Sequence, residues 1–203
     1  MMKVISSTQL TQQENYKLLI GSIIPRPVAV VTSESSEGAL NIAPFSFFNI
    51  VSSAPAMVSI SFQRKNGQEK DTARNLREKG EGVIHILDEA NVVEANQTAA
   101  TLGPHESELT VANFTLVPSK SVKTPALKEA KVRFEVTVHQ QIEIKKDEMV
   151  TADLFILNIE NYVIDEEVYE EGKINPRKLA PVSRLAGHDY SKLGEIFTII
   201  RPD

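Results

Sequence analysis

Two stretches carry side chains that could do chemistry. Asn41-Ile42-Ala43-Pro44-Phe45-Ser46-Phe47-Phe48-Asn49 sets three phenylalanines among small polar groups. Downstream, Lys70-Asp71-Thr72 puts a cation and two oxygen-bearing side chains where a helix should begin. A helix start offers free backbone N–H groups and the positive end of the macrodipole, which suit an anion. Lys70 adds a full charge and Thr72 a hydroxyl donor. Asp71 repels an anion and reads instead as a cap on the N–H of Arg74 or Asn75. In the first stretch, the Ser46 hydroxyl and nearby amides could meet the polar edge of a planar ring. Phe47 or Phe48 could pack on its face, and Asn49 could bond its carbonyls. A flat apolar ring with an anionic tail would suit the pair.

Each stretch also has a plain structural reading. Lys70 to Thr72 can be a solvated helix cap, and the phenylalanines can be core, the usual fate of aromatic residues. Adjacent Phe47 and Phe48 on extended backbone point to opposite sides, so one core cannot take both. A sheet buried on both faces, or an interface between copies, would accommodate them. Ser59 and Ser61 share one face of a strand and leave room for a ligand or a neighbouring strand. Arg64 and Lys65 follow closely and could reach the same anion. Near the end, Arg184-Leu185-Ala186-Gly187-His188-Asp189-Tyr190 is rich in donors and could cover a ligand or dock on the body of the protein.

Other chemistries find no support. The chain has no cysteine, so thiolate catalysis, disulfides and Fe–S ligation by the chain are excluded. His85, His105, His139 and His188 form no i, i+4 pair and no ligand cluster, which argues against a metal site. H-E-x-x-H, G-x-S-x-G, the P-loop and G-x-G-x-x-G are all missing. Asp147-Glu148 and Asp165-Glu166-Glu167 read as solvated turns rather than paired catalytic acids. A net charge of −5 argues against a nucleic-acid backbone as main partner. No apolar run approaches the roughly 20 residues of a spanning helix, and the N-terminus has no signal-peptide core. Cytoplasm is the expected compartment.

The positioning elements follow from patterning. Thr11-Gln12-Gln13-Glu14 is a capping box, so a helix should run from about Gln12 to Gly21, with Tyr16, Leu19 and Ile20 as its apolar stripe. Pro25 and Pro27 hold Arg26 extended before a buried strand, Val28 to Thr32. Leu40 to Phe45 is the return strand of a hairpin turned by the polar Glu34 to Gly38 segment. Met57 to Phe62 alternates cleanly, with Val58, Ile60 and Phe62 on one face. Thr72 to Lys79 should be a short helix stopped by Gly80, and Gly82 to Leu87 a strand. Glu89 to Ala100 and Pro104 to Ala112 have helical composition. Val132 to Ile144 alternates with its apolar residues on even numbers, and Leu154 to Val163 runs back to complete a long hairpin. Strands predominate without a βαβ rhythm, so the expected fold is mainly β: one antiparallel barrel with peripheral helices, residues 1–203 forming a single domain.

With these residues in hand, the chain resembles the flavin reductase-like, FMN-binding split-barrel family, which includes flavoredoxin-like proteins. The resemblance rests on Pro25-Arg26-Pro27-Val28-Ala29, Asn41 to Asn49, Lys70-Asp71-Thr72-Ala73-Arg74-Asn75 and Arg184-Leu185-Ala186-Gly187, in that order and spacing. It implies a six-stranded antiparallel split barrel, a homodimer, and FMN held non-covalently near the interface between copies. It further implies flavin contacts from Ser46, Phe47, Phe48, Asn49 and Ser61, phosphate contacts from Lys70, Asp71 and Thr72, and a further contact from Arg184. Many relatives carry an aromatic residue where this chain has Val30. The expected activity is FMN-dependent oxidoreduction, from NAD(P)H to a flavin, a metal complex or a protein acceptor. The flavin would carry the chemistry, so no side-chain acid or base is assigned. The alternatives are a non-catalytic FMN carrier or sensor, and a dimeric barrel that has lost its ligand.

Overall fold

The structure, a computed structural model, describes residues 1–100, 102 and 106–202. Its strands arise where β-branched and aromatic residues run together. Seven of them form one antiparallel sheet: β1 Ala29–Glu34, β2 Leu40–Phe45, β3 Phe48–Ser53, β4 Ala56–Gln63, β5 Glu81–Ile86, β6 Val132–Lys146 and β7 Met149–Ile164. Their spatial order is β2-β1-β5-β6-β7-β4-β3.

This order forces closure. β2 and β3 are the two edges of the sheet, yet only Ser46 and Phe47 separate them in sequence. Three Cα steps reach roughly 11 Å. A flat sheet of seven strands would hold its edges about 29 Å apart. The sheet therefore curls until its edges meet. Beside the seam the β3–β4 ladder extends to the connection, where the Ser61 N–H donates to the Phe47 carbonyl at 2.9 Å, and across the seam the Phe45 ring of β2 meets Phe62 of β4 edge-on at 4.6 Å between centroids. The result is a split barrel.

The barrel interior is filled by Ala29, Val31, Val58, Ile60, Phe62, Ile84, Val136, Phe155 and Leu157, and helix α2 (Asp71–Lys79) adds Ala73 and Leu76. A second cluster lies on the other face of β1, with Val30, Ile42, Leu87, Leu127 and Val182. β1 is thus buried on both sides, which accounts for its unbroken apolar run. Gly82 lets α2 lie close against the barrel: a Cβ there would meet Leu76 Cδ2 at 2.9 Å and the Thr32 carbonyl at 3.0 Å. Gly80 ends α2 in the left-handed conformation at φ 73°.

Several expectations change. The sheet has seven strands, not six, because Phe48-Asn49-Ile50-Val51 continues past the seam as β3. In the long hairpin the even-numbered alternation stops at a register shift between Val138 and Gln140. The extra residue turns the strand over, so Gln141 stands opposite Phe155, while Ile142 and Ile144 face outward, 38% and 44% exposed. Helix α1 (Gln12–Ser22) has the expected capping box but continues through Gly21, and of its expected stripe only Ile20 is buried. Helix α3 is the shorter Val92–Gln97. Of the expected Pro104 to Ala112 helix, Glu108–Thr110 forms one 3-10 turn, and Pro104 and His105 lie outside the described residues. The segment after Pro181 returns to the barrel through β8 (Val182–Arg184), paired with β9 (Tyr190–Lys192).

Candidate functional site

A cleft of about 760 Å³ lies between the β2–β3 seam and the start of α2. Six of the residues singled out from sequence line it: Ser46, Phe47, Ser61, Lys70, Asp71 and Thr72. The seam places the first two, since Ser46 and Phe47 are the whole connection between the barrel edges. Phe47 turns into the cleft beside Tyr16 of α1, with ring centroids 6.5 Å apart. Ser61 sits on the face of β4 opposite Ile60 and Phe62, and its Oγ accepts from Gln63 Nε2 at 3.3 Å.

The start of α2 supplies the other end. Lys70 takes the N-cap position with extended backbone, φ −74° and ψ 145°, and no side chain caps the helix. The first amides of α2 therefore have no acceptor within the helix. Asp71 does not cap it, contrary to expectation. It is the first helical residue, and its carboxylate accepts from the Arg74 guanidinium at 2.5 Å. Thr72 is buried, and its Oγ1 accepts from Asn41 Nδ2 at 2.7 Å, so its own hydrogen is left to donate. Asn75 gives its Nδ2 hydrogen to Ser33 Oγ at 3.1 Å, while its buried Oδ1 has no partner among the described residues.

Three further residues expected as contacts do not line this cleft. Phe48 packs on the barrel core opposite Ile60. Asn49 is exposed, and its Oδ1 accepts from the Ile50 N–H at 2.8 Å. Arg184 donates to Tyr190 OH and the Gly187 carbonyl, 2.5 Å each, and lies 4.5 Å from the Tyr190 ring centroid. Arg64 is also committed away from the cleft. It holds the buried Asp153 through two bonds, at 2.7 and 2.8 Å.

Two charged residues escaped the sequence reading as site residues. Arg26 is buried beside the seam and donates from Nε to Ser46 Oγ at 3.3 Å. Its position between two prolines was the available signal. Glu108 lines the cleft from the 3-10 turn and accepts the Ile42 N–H at 2.7 Å. Burial pushes its carboxyl above the usual range, the nearby Asp71 charge adds to that, and the Ile42 amide opposes it. Nothing local marks Glu108, because its partner lies 66 residues away.

A split antiparallel barrel with an aromatic seam facing an uncapped helix start is a scaffold for a planar ring with an anionic tail. Residues 20–182 match the flavin reductase like domain, and the chain belongs to that family. With the family go a flavin as the group handled and oxidoreduction as the class of chemistry. The chain is 50% identical to the Bacillus subtilis (strain 168) protein YwrF over 99% of its own length and all of that protein. Among solved structures, it is similar to nitrilotriacetate monooxygenase component B from Bacillus cereus. The TM-score is 0.96 at 47% identity, covering 98% of this chain and 99% of that one. It is also similar to the Pseudomonas fluorescens 2-nitrobenzoate 2-nitroreductase NbaA, with a TM-score of 0.88 at 27% identity over 98% and 96% of the two chains.

The donor set fits a flavin. Phe47 and Tyr16 offer apolar ring surface, Ser46 and Ser61 offer hydroxyls near that surface, and Lys70, Thr72 and the free amides of α2 collect where a phosphate would end.

Proposed function

We propose that the chain is an FMN-dependent oxidoreductase that takes reducing equivalents from NAD(P)H and passes them to a flavin, a metal complex or a protein. The observation that carries this reading is the convergence of Ser46–Phe47 and Lys70–Thr72 on one cleft. When bound, FMN supplies two-electron chemistry that the side chains of this chain lack. Phe47 would pack against the ring, Ser46 and Ser61 would donate at its polar edge, and Lys70 with Thr72 would hold the phosphate. Lys70 forms no ion pair among the described residues, whereas Arg74 is engaged by Asp71. Glu78, Glu106 and Glu108 also line the cleft.

The Bacillus cereus neighbour is by name a component of a monooxygenase, which favours a flavin or a protein as acceptor. A homodimer is part of the proposal. Leu18, Leu19, Ile23, Ile24, Ile50 and Val51 are large apolar residues left exposed on one copy, and a second copy would cover such surface. The proposed compartment is the cytoplasm; no helix among the described residues is long and apolar enough to cross a membrane.

The test is anaerobic addition of NADH or NADPH to the FMN-loaded protein. Loss of the flavin absorbance near one equivalent of nucleotide is expected. FMN that stays oxidised with both nucleotides would leave the protein a flavin carrier instead.

A further inference from the structure

We infer that Arg26 is a positioning residue that acts through Ser46 to favour the reduced state of the bound flavin. This rests on the reading of the cleft as a flavin site.

Arg26 is 6% exposed. Its backbone is fixed on both sides: its N–H donates to the Arg184 carbonyl at 3.0 Å, and its carbonyl accepts from the Arg184 N–H at 2.8 Å. The guanidinium is spread over three parts of the chain. Nη1 donates to the Ile20 carbonyl of α1 and to the carbonyl of Ile23, just past its end, each at 2.8 Å. Nη2 donates to the Leu185 carbonyl at 2.9 Å. Nε donates to Ser46 Oγ at 3.3 Å. Every acceptor is neutral, and no carboxylate pairs with Arg26 among the described residues. Buried arginines are ordinarily paired with a carboxylate. Here burial pulls the guanidinium below its ordinary pKa, and Arg184 adds a like charge nearby.

The carbonyl bonds would suffice to clamp α1 to the segment after β8. The Nε bond does something else, because Ser46 lines the cleft. A hydroxyl oxygen that accepts from a cation is polarised, and its own hydrogen becomes a stronger donor. With one lone pair occupied by Arg26, Ser46 can present that hydrogen to an acceptor in the cleft. Reduction of a flavin by two electrons puts negative charge on its ring when fewer than two protons follow. A polarised donor backed by an unpaired buried cation therefore binds the reduced ring more tightly than the oxidised one.

The test measures the midpoint potential of bound FMN by dye equilibration in four proteins: the wild type, Ser46→Ala, Arg26→Gln and the double variant. Ser46→Ala keeps the clamp and should lower the preference for reduced over oxidised FMN roughly tenfold, a fall of about 30 mV for a two-electron couple. Arg26→Gln should shift the potential in the same direction. The double variant should fall little further than the larger single shift, because both act on one hydroxyl. Unchanged potential in Ser46→Ala overturns the inference, and so do fully additive shifts. If Arg26→Gln does not fold, the Ser46→Ala potential still decides against the inference when it is unmoved. A wild type that binds no FMN defeats the flavin reading itself, whereas FMN-loaded variants of unaltered potential defeat only the role given to Arg26.

Discussion

Lys70 and Thr72 hold neighbouring positions at the start of α2 but differ in environment. Lys70 is exposed, while Thr72 is buried and already engaged by Asn41. Replacing both with Ala should weaken FMN by about ten- to a hundred-fold, the worth of one charge-assisted contact. Riboflavin, which lacks the phosphate, should bind nearly as before. Equal losses for the two ligands in a fluorescence titration would remove the phosphate from this end of the cleft. His85 carries a different prediction. The Leu127 N–H donates to Nε2 at 2.9 Å, so the ring hydrogen sits on Nδ1 and goes to the Val30 carbonyl, also at 2.9 Å. Burial brings its pKa down to about 3 from the ordinary 6.5. The unfolded chain takes a proton near pH 6.5 and the folded chain does not. Stability is therefore fully present above pH 6.5 and falls by about 1.4 kcal/mol per unit as the pH drops towards 3. Urea unfolding at pH 7 and pH 5.5 should show this fall; a flat profile would mean that the buried ring accepts a proton. At this scale Ser46, Phe47, Lys70 and Thr72 could be marked from sequence because their types suit a ligand, and all four line the cleft. Arg26 and Glu108 were not, because their roles come from contacts with distant segments.

Between elements, β4 and β7 are joined by more than their ladder. Arg64, just past the end of β4, holds Asp153 of β7, which is fully buried, and Gln141 of β6 donates to the same carboxylate at 3.3 Å. Removing one partner leaves the other charge buried. Arg64→Met should therefore cost about 3–5 kcal/mol in urea unfolding, while Arg64→Met with Asp153→Leu should recover much of that loss. A double variant no more stable than the single one would show that the pair contributes more than mutual neutralisation. Alternation made β4 and the first half of β6 plain. It failed past Val138, where one extra residue moves Ile142 and Ile144 to the outer face. Such a bulge leaves little mark in sequence, because the apolar residues continue on even numbers on either side of it. β3 was hidden for another reason: Phe48 and Asn49 had a possible use as ligand contacts, although Phe48, Ile50 and Val51 all favour a strand.

For the whole molecule, closure of the barrel is what creates the site. The edges are joined through Ser46–Phe47, and α2 lies alongside because Gly82 leaves room for it. The antiparallel barrel was legible from strand content and the missing βαβ rhythm. The order of strands was not, since pairings such as β1 with β5 join distant segments. The tail after β9 bears on the proposed dimer. Leu193, Ile196, Phe197, Ile199 and Ile200 are 44–89% exposed. Covering such side chains on a second copy would add substantially to a stable interface, which needs about 800 Å² per partner. If the proposed dimer forms through this tail, ending the chain after Lys192 should weaken self-association in sedimentation equilibrium at least tenfold. Unchanged association would assign the interface to other surfaces. The site itself is tested most directly by titrating FMN with the purified, folded protein and following its fluorescence. Saturable quenching at one FMN per chain is expected. Full FMN fluorescence in the presence of excess protein, with the fold intact by circular dichroism, would contradict the account.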